Sequence, residues 1–145
     1  MENLIEIGYA KFWTDNNILY CQFNNDSPKL KLKPERVALY IDAITKLCKG
    51  KAMPFLIDLR NSRGTYCSSA ANLFANSPAL IKLRISEAFI LNSIGIKLLI
   101  MSYKRLYDPR TPFSVFENMA EAEAYCREIK NNFYRSNKIE LSKLA

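Results

Sequence analysis

Two β-rich runs, YAKFWT and ILYCQF, stand either side of Asp15, Asn16 and Asn17. Asn and Asp tolerate left-handed backbone, so the pattern predicts a hairpin turning at those residues. LKLK at 30–33 alternates leucine with lysine, which predicts a third short strand, one face buried, with its lysines marking a sheet edge. Pro34 suits a first helical position and Gly50 the residue after a last turn, so a helix is predicted over 34–49. Val37, Ile41, Ile44 and Cys48 form its core stripe, with Arg36, Lys46 and Lys49 on the other side.

The second half has a different texture. MPFLIDL at 53–59 has no polar alternation before Asp58, as expected of a strand covered on both faces in a parallel sheet. A helix near 67–75 follows, with Ala70, Leu73 and Phe74 inward. Then come a strand EAFILNS, a helix over 94–107, a strand FSVF and a last helix from Met119 to about Tyr134. Asn118, three residues before Glu121, predicts a cap for that helix, and Ala122, Tyr125, Ile129 and Phe133 make its inward stripe. The order β-β-β-α-β-α-β-α-β-α predicts an α/β protein with a mixed sheet: an N-terminal hairpin, then right-handed strand–helix–strand crossovers, with about four helices. Residues 1–135 read as one domain and 136–145 as a loose polar C-terminal tail.

Composition narrows the chemistry. There is no histidine, which removes catalytic triads and Cys–His dyads. No paired-carboxylate, glycine-rich phosphate or dinucleotide motif is present, so a non-enzymatic protein is expected, with Cys67 and Asp58 as the only centres an enzyme would have. The four cysteines are scattered without a CxxC pair, so neither a metal site nor a cofactor is expected. Three lie on apolar faces, as small hydrophobes do in a reducing cytosol. The acidic start and the interruption of FILNSIGIKLLIM by Asn92, Ser93, Gly95 and Lys97 argue against a secretory signal and a membrane span, and predict a cytoplasmic location. The net charge of +7 is uneven: residues 29–63 hold nine Lys/Arg against three acids. Such a surface suits an acidic protein partner or anionic lipid, or is only a solvated face that aids solubility, while the absence of RNA-binding aromatic or helix-turn-helix patterns argues against nucleic acid.

YAKFW…ILYCQF, PFLIDLR, a Ser/Thr-bearing loop, AFILNS and PFSVFENMAEAEAYC, in that order, resemble the small bacterial SpoIIAA-like proteins of the STAS superfamily, in an uncharacterised branch. The resemblance covers roughly residues 7 to 133. It implies a SpoIIAA-like (STAS-like) fold and a non-enzymatic regulatory module working through protein contacts, with a homodimer as one form. In that superfamily the motif Asp-Ser-Ser-Gly-Leu opens the second helix and its first serine accepts phosphate from a partner kinase; other members of the wider fold bind nucleotides or lipids. Cys67-Ser68-Ser69-Ala70-Ala71 resembles that motif, with Cys67 for Asp, Ala70 for Gly and a longer loop from Asp58. Ser68 is the candidate phosphoacceptor.

Two surfaces follow from the residues themselves. A helix N-terminus offers unpaired N–H groups, and Arg60 and Arg63 with Thr65 and Ser69 would make an anion site there. The plain alternative is that Thr65, Ser68 or Ser69 caps the helix. Cys67 at a helix start near arginines is a candidate redox thiol. On the 94–107 helix, Leu99, Leu106, Tyr103, Ile96, Tyr107 and Ile100 fill a sheet-facing arc, leaving Ile94, Leu98 and Met101 outside it among Lys97, Lys104 and Arg105. That outer strip is a candidate dimer, partner or lipid contact, the plain alternative being that a neighbouring loop covers it. The second functional reading is a carrier or sensor of a lipid or other apolar or anionic small molecule, held between the sheet and this helix.

Overall fold

The computed structural model describes residues 3–25 and 27–144, with residues 139–144 described by backbone alone. Strand β1 (Ile5–Ile7) turns through Gly8 into β2 (Ala10–Asp15), which pairs with β3 (Ile18–Phe23) across a turn where Asn16 and Asn17 have φ of 50° and 59°. Both turn residues are left-handed, as the tightest hairpins require. A two-residue β4 (Lys31–Leu32) precedes α1 (Pro34–Cys48), which ends with left-handed Lys49 and Gly50. Then follow β5 (Met53–Asp58), β6 (Thr65–Tyr66), α2 (Ser68–Asn76), α3 (Pro78–Leu83), β7 (Arg84–Ile90), α4 (Ile94–Tyr107), β8 (Phe113–Phe116) and α5 (Met119–Leu144).

The six longer strands make one mixed sheet in the order β1-β2-β3-β5-β7-β8, antiparallel across β1–β2–β3 and parallel from β3 onward. All six residues of β5 are buried at its centre, as the unbroken apolar run predicts. One face of the sheet packs on α1, α3 and α4, through Phe12, Leu19, Phe55 and Phe89 against Tyr40, Ile44, Leu80 and Ile100. The other face is covered by α5, where Ala122 and Cys126 meet Ile18, Tyr20, Leu56, Ala88 and Ile90.

Several expectations are corrected. The 30–33 strand is not an edge of the main sheet: β4 pairs in parallel with β6 in a separate two-stranded sheet, and β1 takes the edge. Helix α3 and the first three residues of β7 fall in the stretch between the predicted helix near 67–75 and EAFILNS, for which the pattern predicts no element. Ser77 caps α3 by accepting from Leu80 N at 3.4 Å, and Pro78 supplies its first residue. Helix α5 runs to Leu144 rather than stopping near Tyr134, because RSNKIELSKL holds neither glycine nor proline. Its start is as expected, with Asn118 Oδ1 accepting from Glu121 N at 2.9 Å.

In β7 the register slips: Met53 faces Arg84 but Phe55 faces Glu87, so two residues of β5 oppose three of β7. The extra residue is a β-bulge, and it puts Arg84 and Glu87 on the same face despite their odd spacing.

Candidate functional site

The carboxyl ends of β3 and β5 open into a cavity of about 500 Å³. Parallel α/β sheets place ligands at this end of their strands, since the loops there are free to diverge. Its base is aromatic: Phe23 and Tyr40 line it, with ring centroids 5.6 Å apart and Phe12 packed beneath both. One wall is Leu30 and Leu32 with Thr65 and Tyr66, and the other is Ile96, Leu99 and Ile100 of α4. Lys31, Lys33, Glu35 and Arg36 stand at its rim, all exposed. The three cations form no ion pair with a described residue. Among the described lining residues Glu35 is the only carboxylate.

The segment 59–67 builds the first wall by pairing with residues 25–32. Arg63 N donates to Asn25 O at 2.8 Å, Thr65 N to Leu30 O at 3.1 Å and Cys67 N to Leu32 O at 3.1 Å. Gly64 is needed at the crossing: a Cβ there would lie 2.5 Å from Leu30 O and 2.6 Å from Asn25 Nδ2. The extra length of this loop, relative to the motif it resembles, is thus spent on a cavity wall.

Of the candidate anion ligands, Arg60 is already engaged. Its Nε and Nη2 donate to the two oxygens of Asp58 at 3.0 and 2.8 Å, and its backbone N donates to Oδ1 at 3.1 Å. Burial raises the Asp58 carboxyl, but the Arg60 hydrogen bonds and charge outweigh it and hold the pKa below the ordinary carboxylate value. Arg63 is exposed, Thr65 sits in β6 at the cavity wall, and neither Arg60, Arg63 nor Ser69 lines the cavity. The candidate anion group is therefore divided rather than gathered at one point. Ser68 is the exposed first residue of α2. The cap residue is Cys67, and no side chain caps the helix, which corrects the hydroxyl-cap reading. The Cys67 thiol lies 3.3 Å from Ser69 Oγ, and that contact, followed by the helix N–H groups, lowers its pKa. Cys21, Cys48 and Cys126 are buried, and burial pushes the last two up to about 11 and about 12.

On α4 the candidate interface residues share one exposed strip. Ile94 is 78% exposed, Leu98 65% and Met101 45%, and Arg105 is exposed beside them. Two neighbours are reassigned: Leu106 is exposed rather than sheet-facing, and Lys104 is buried rather than on the surface. Lys104 Nζ donates to Glu87 Oε1 at 2.5 Å and to Asp108 Oδ2 at 2.9 Å. Arg84 completes the group 3.5 Å from Asp108, while its guanidinium also donates to the carbonyls of Phe74 and Ala75 at the end of α2. Sequence patterning misses this cluster, although a glutamate inside an otherwise apolar strand and a lysine four residues before an aspartate were its signals.

Residues 12–130 match the family described as "Domain of unknown function (DUF7793)". Among solved structures, the chain is similar to an uncharacterised protein of the DUF3478 family with a SpoIIAA-like fold from Shewanella loihica PV-4. The TM-score is 0.55 and the identity 16%, over 81% of this chain and 91% of that one. At that identity the likeness is one of fold, and it agrees with the SpoIIAA-like fold that the sequence resemblance implies. No curated protein matches. With the matched residues running from β2 into α5, this chain belongs to the DUF7793 family and has a SpoIIAA-like fold.

Proposed function

We propose that this protein is a non-enzymatic cytoplasmic binding module that holds a small amphipathic anion, an apolar body with an acidic end, and so acts as a carrier or sensor. The observation that carries the reading is the cavity: aromatic and aliphatic walls under a rim of Lys31, Lys33 and Arg36. An apolar tail would displace water from Phe23, Tyr40, Leu99 and Ile100, and an acidic head would meet exposed cations beside the N-terminus of α1. The lining supports binding over catalysis, since its described residues include neither cysteine nor histidine, and Asp58 is already bonded to Arg60. Four free thiols support a reducing compartment. In the regulatory variant of this reading, the filled cavity stiffens the 59–67 wall next to Ser68, so a partner protein would sense ligand there.

Calorimetric titration with laurate and oleate, backed by native mass spectrometry of the purified chain, tests the proposal. Saturable binding at one site is expected, with weaker binding of the matching alcohols. Leu99→Trp, which fills the cavity, abolishes it, and Arg36→Glu weakens it about tenfold, equivalent to about 1.4 kcal/mol. Absence of binding, or binding indifferent to Leu99→Trp, sinks the idea.

A further inference from the structure

The outer strip of α4 carries large apolar side chains where a water-facing helix carries charge. Ile94, Leu98, Met101 and Arg105 fall within about 60° of the helix circumference, and Lys97 borders them. The helix holds no acid, and the surroundings extend that bias. Between residues 59 and 116 the chain has two acids, Glu87 and Asp108, and both are buried against Lys104. Arg63, Lys82, Lys97, Arg105 and Arg110 of the same stretch remain exposed. Every negative charge of these elements is therefore used inside, and the surface they present is apolar and cationic.

We infer that this face of α4 docks on the surface of an anionic phospholipid bilayer. A helix with aliphatic side chains along its crest and Lys/Arg at its borders lies in the plane of the headgroups, its apolar residues among the upper acyl chains and its cations at the lipid phosphates. Association is peripheral, because among the described residues no helix is long and apolar enough to cross a membrane. A second copy fits less well: a two-fold contact through this strip would set Lys97 and Arg105 against like charges with no acid to meet them. The opposite side of the same helix carries Ile96, Leu99 and Ile100 into the cavity, so α4 becomes the wall between bilayer and cavity. The docking itself does not depend on what the cavity holds.

Co-sedimentation of the full chain with vesicles reads this directly. The protein pellets with vesicles of phosphatidylcholine mixed with phosphatidylglycerol, stays in solution with phosphatidylcholine alone, and is released as salt rises. Leu98→Asp lowers the bound fraction about tenfold, whereas Lys46→Glu on α1 leaves it nearly unchanged. Should Leu98→Asp fail to fold by circular dichroism, the Lys97→Glu/Arg105→Glu pair leaves the apolar crest intact and lowers binding by the same order. The inference is overturned if the wild-type chain ignores the anionic vesicles or if the folded variants bind as it does. It is equally overturned if light scattering shows a dimer that Leu98→Asp dissolves, which would assign the face to a second copy. Fatty-acid titration of the same samples keeps the cavity reading separate.

Discussion

Helices α4 and α5 cover the same sheet from opposite sides and handle charge in inverse ways. Helix α5 buries small residues, Ala122 and Cys126, directly on the strands and exposes Glu121, Arg127, Glu128 and Arg135, a surface of both signs. It is tied at several points: Tyr20 donates to the Glu123 carboxylate, Lys130 to the carbonyl of Asn16 at 2.7 Å and Tyr134 to that of Ala52 at 2.8 Å. Helix α4 does the reverse, taking Lys104 into the interior and holding Ile94, Leu98 and Met101 in water. None of the described α5 side chains is an exposed large hydrophobe, and those on other elements, such as Leu39 on α1 and Ile81 on α3, stand singly rather than in a strip. What the contrast teaches is that α4 gives up its best solubilising residue to the core and leaves a sticky crest, a trade that makes sense when the crest has something to touch.

The interior half of that trade breaks first. Lys104→Met leaves Glu87 and Asp108 as buried carboxylates without their shared cation, and should cost about 3–5 kcal/mol in urea denaturation. Asp108 and Glu87 then separate by the sign of their response to pH. Burial raises both carboxyls. For Asp108 the Lys104 bond and two hydrogen bonds from Thr111, each 3.1 Å, override it and lower the pKa, whereas Glu87 Oε2 has no partner and that pKa stays raised. The Asp108 contribution is thus fully present above its unfolded pKa of about 3.9 and is lost as pH falls through the lower folded value. Glu87 works oppositely, its protonated form favouring the fold as pH drops below its raised value. Asp108→Asn should cost about 2 kcal/mol at neutral pH and flatten the acid limb of the stability profile, measured by thermal melts across pH. The outer halves compare last: Ala122→Leu overpacks α5 on the sheet and costs about 1–3 kcal/mol, while Leu98→Ser on α4 moves stability by no more than about 0.5 kcal/mol. Equal effects from the two would erase the distinction between a packed helix and a presented one.

Much of the architecture is legible because it rests on local rules. The Asp15–Asn17 turn, the α1 boundaries at Pro34 and Gly50, the buried β5, the α4 and β8 spans and the Asn118 cap each follow from residues a few positions apart. The elements missed depend on partners distant in sequence. Strand β1 has three residues and is a strand only because β2 accepts it. Strand β7 begins with Arg84, a residue foreign to a buried strand until Asp108 and the α2 carbonyls meet it. The site divides in the same way. The Ile94–Leu98–Met101 strip is visible on a helical wheel, because a helix sets its own periphery. The cavity is not, because its wall needs residues 63–67 to pair with 25–32, and Arg60 is lost to the anion site because Asp58 is two residues away.

The bulge in β7 has a hereditary side. Counted from Arg84 to Glu87, the strand behaves like a text with one inserted letter: before it, even numbers face α2 and its neighbours, and after it, odd ones do. A one-codon deletion between them would leave a regular strand in which the two charges, now two residues apart, still share a face, whereas straightening the strand at its present length would turn Arg84 toward α5 and away from Asp108. Bulge and odd spacing therefore belong together: in relatives of this chain a spacing of three between these charges should go with a bulge, and a spacing of two with a regular strand.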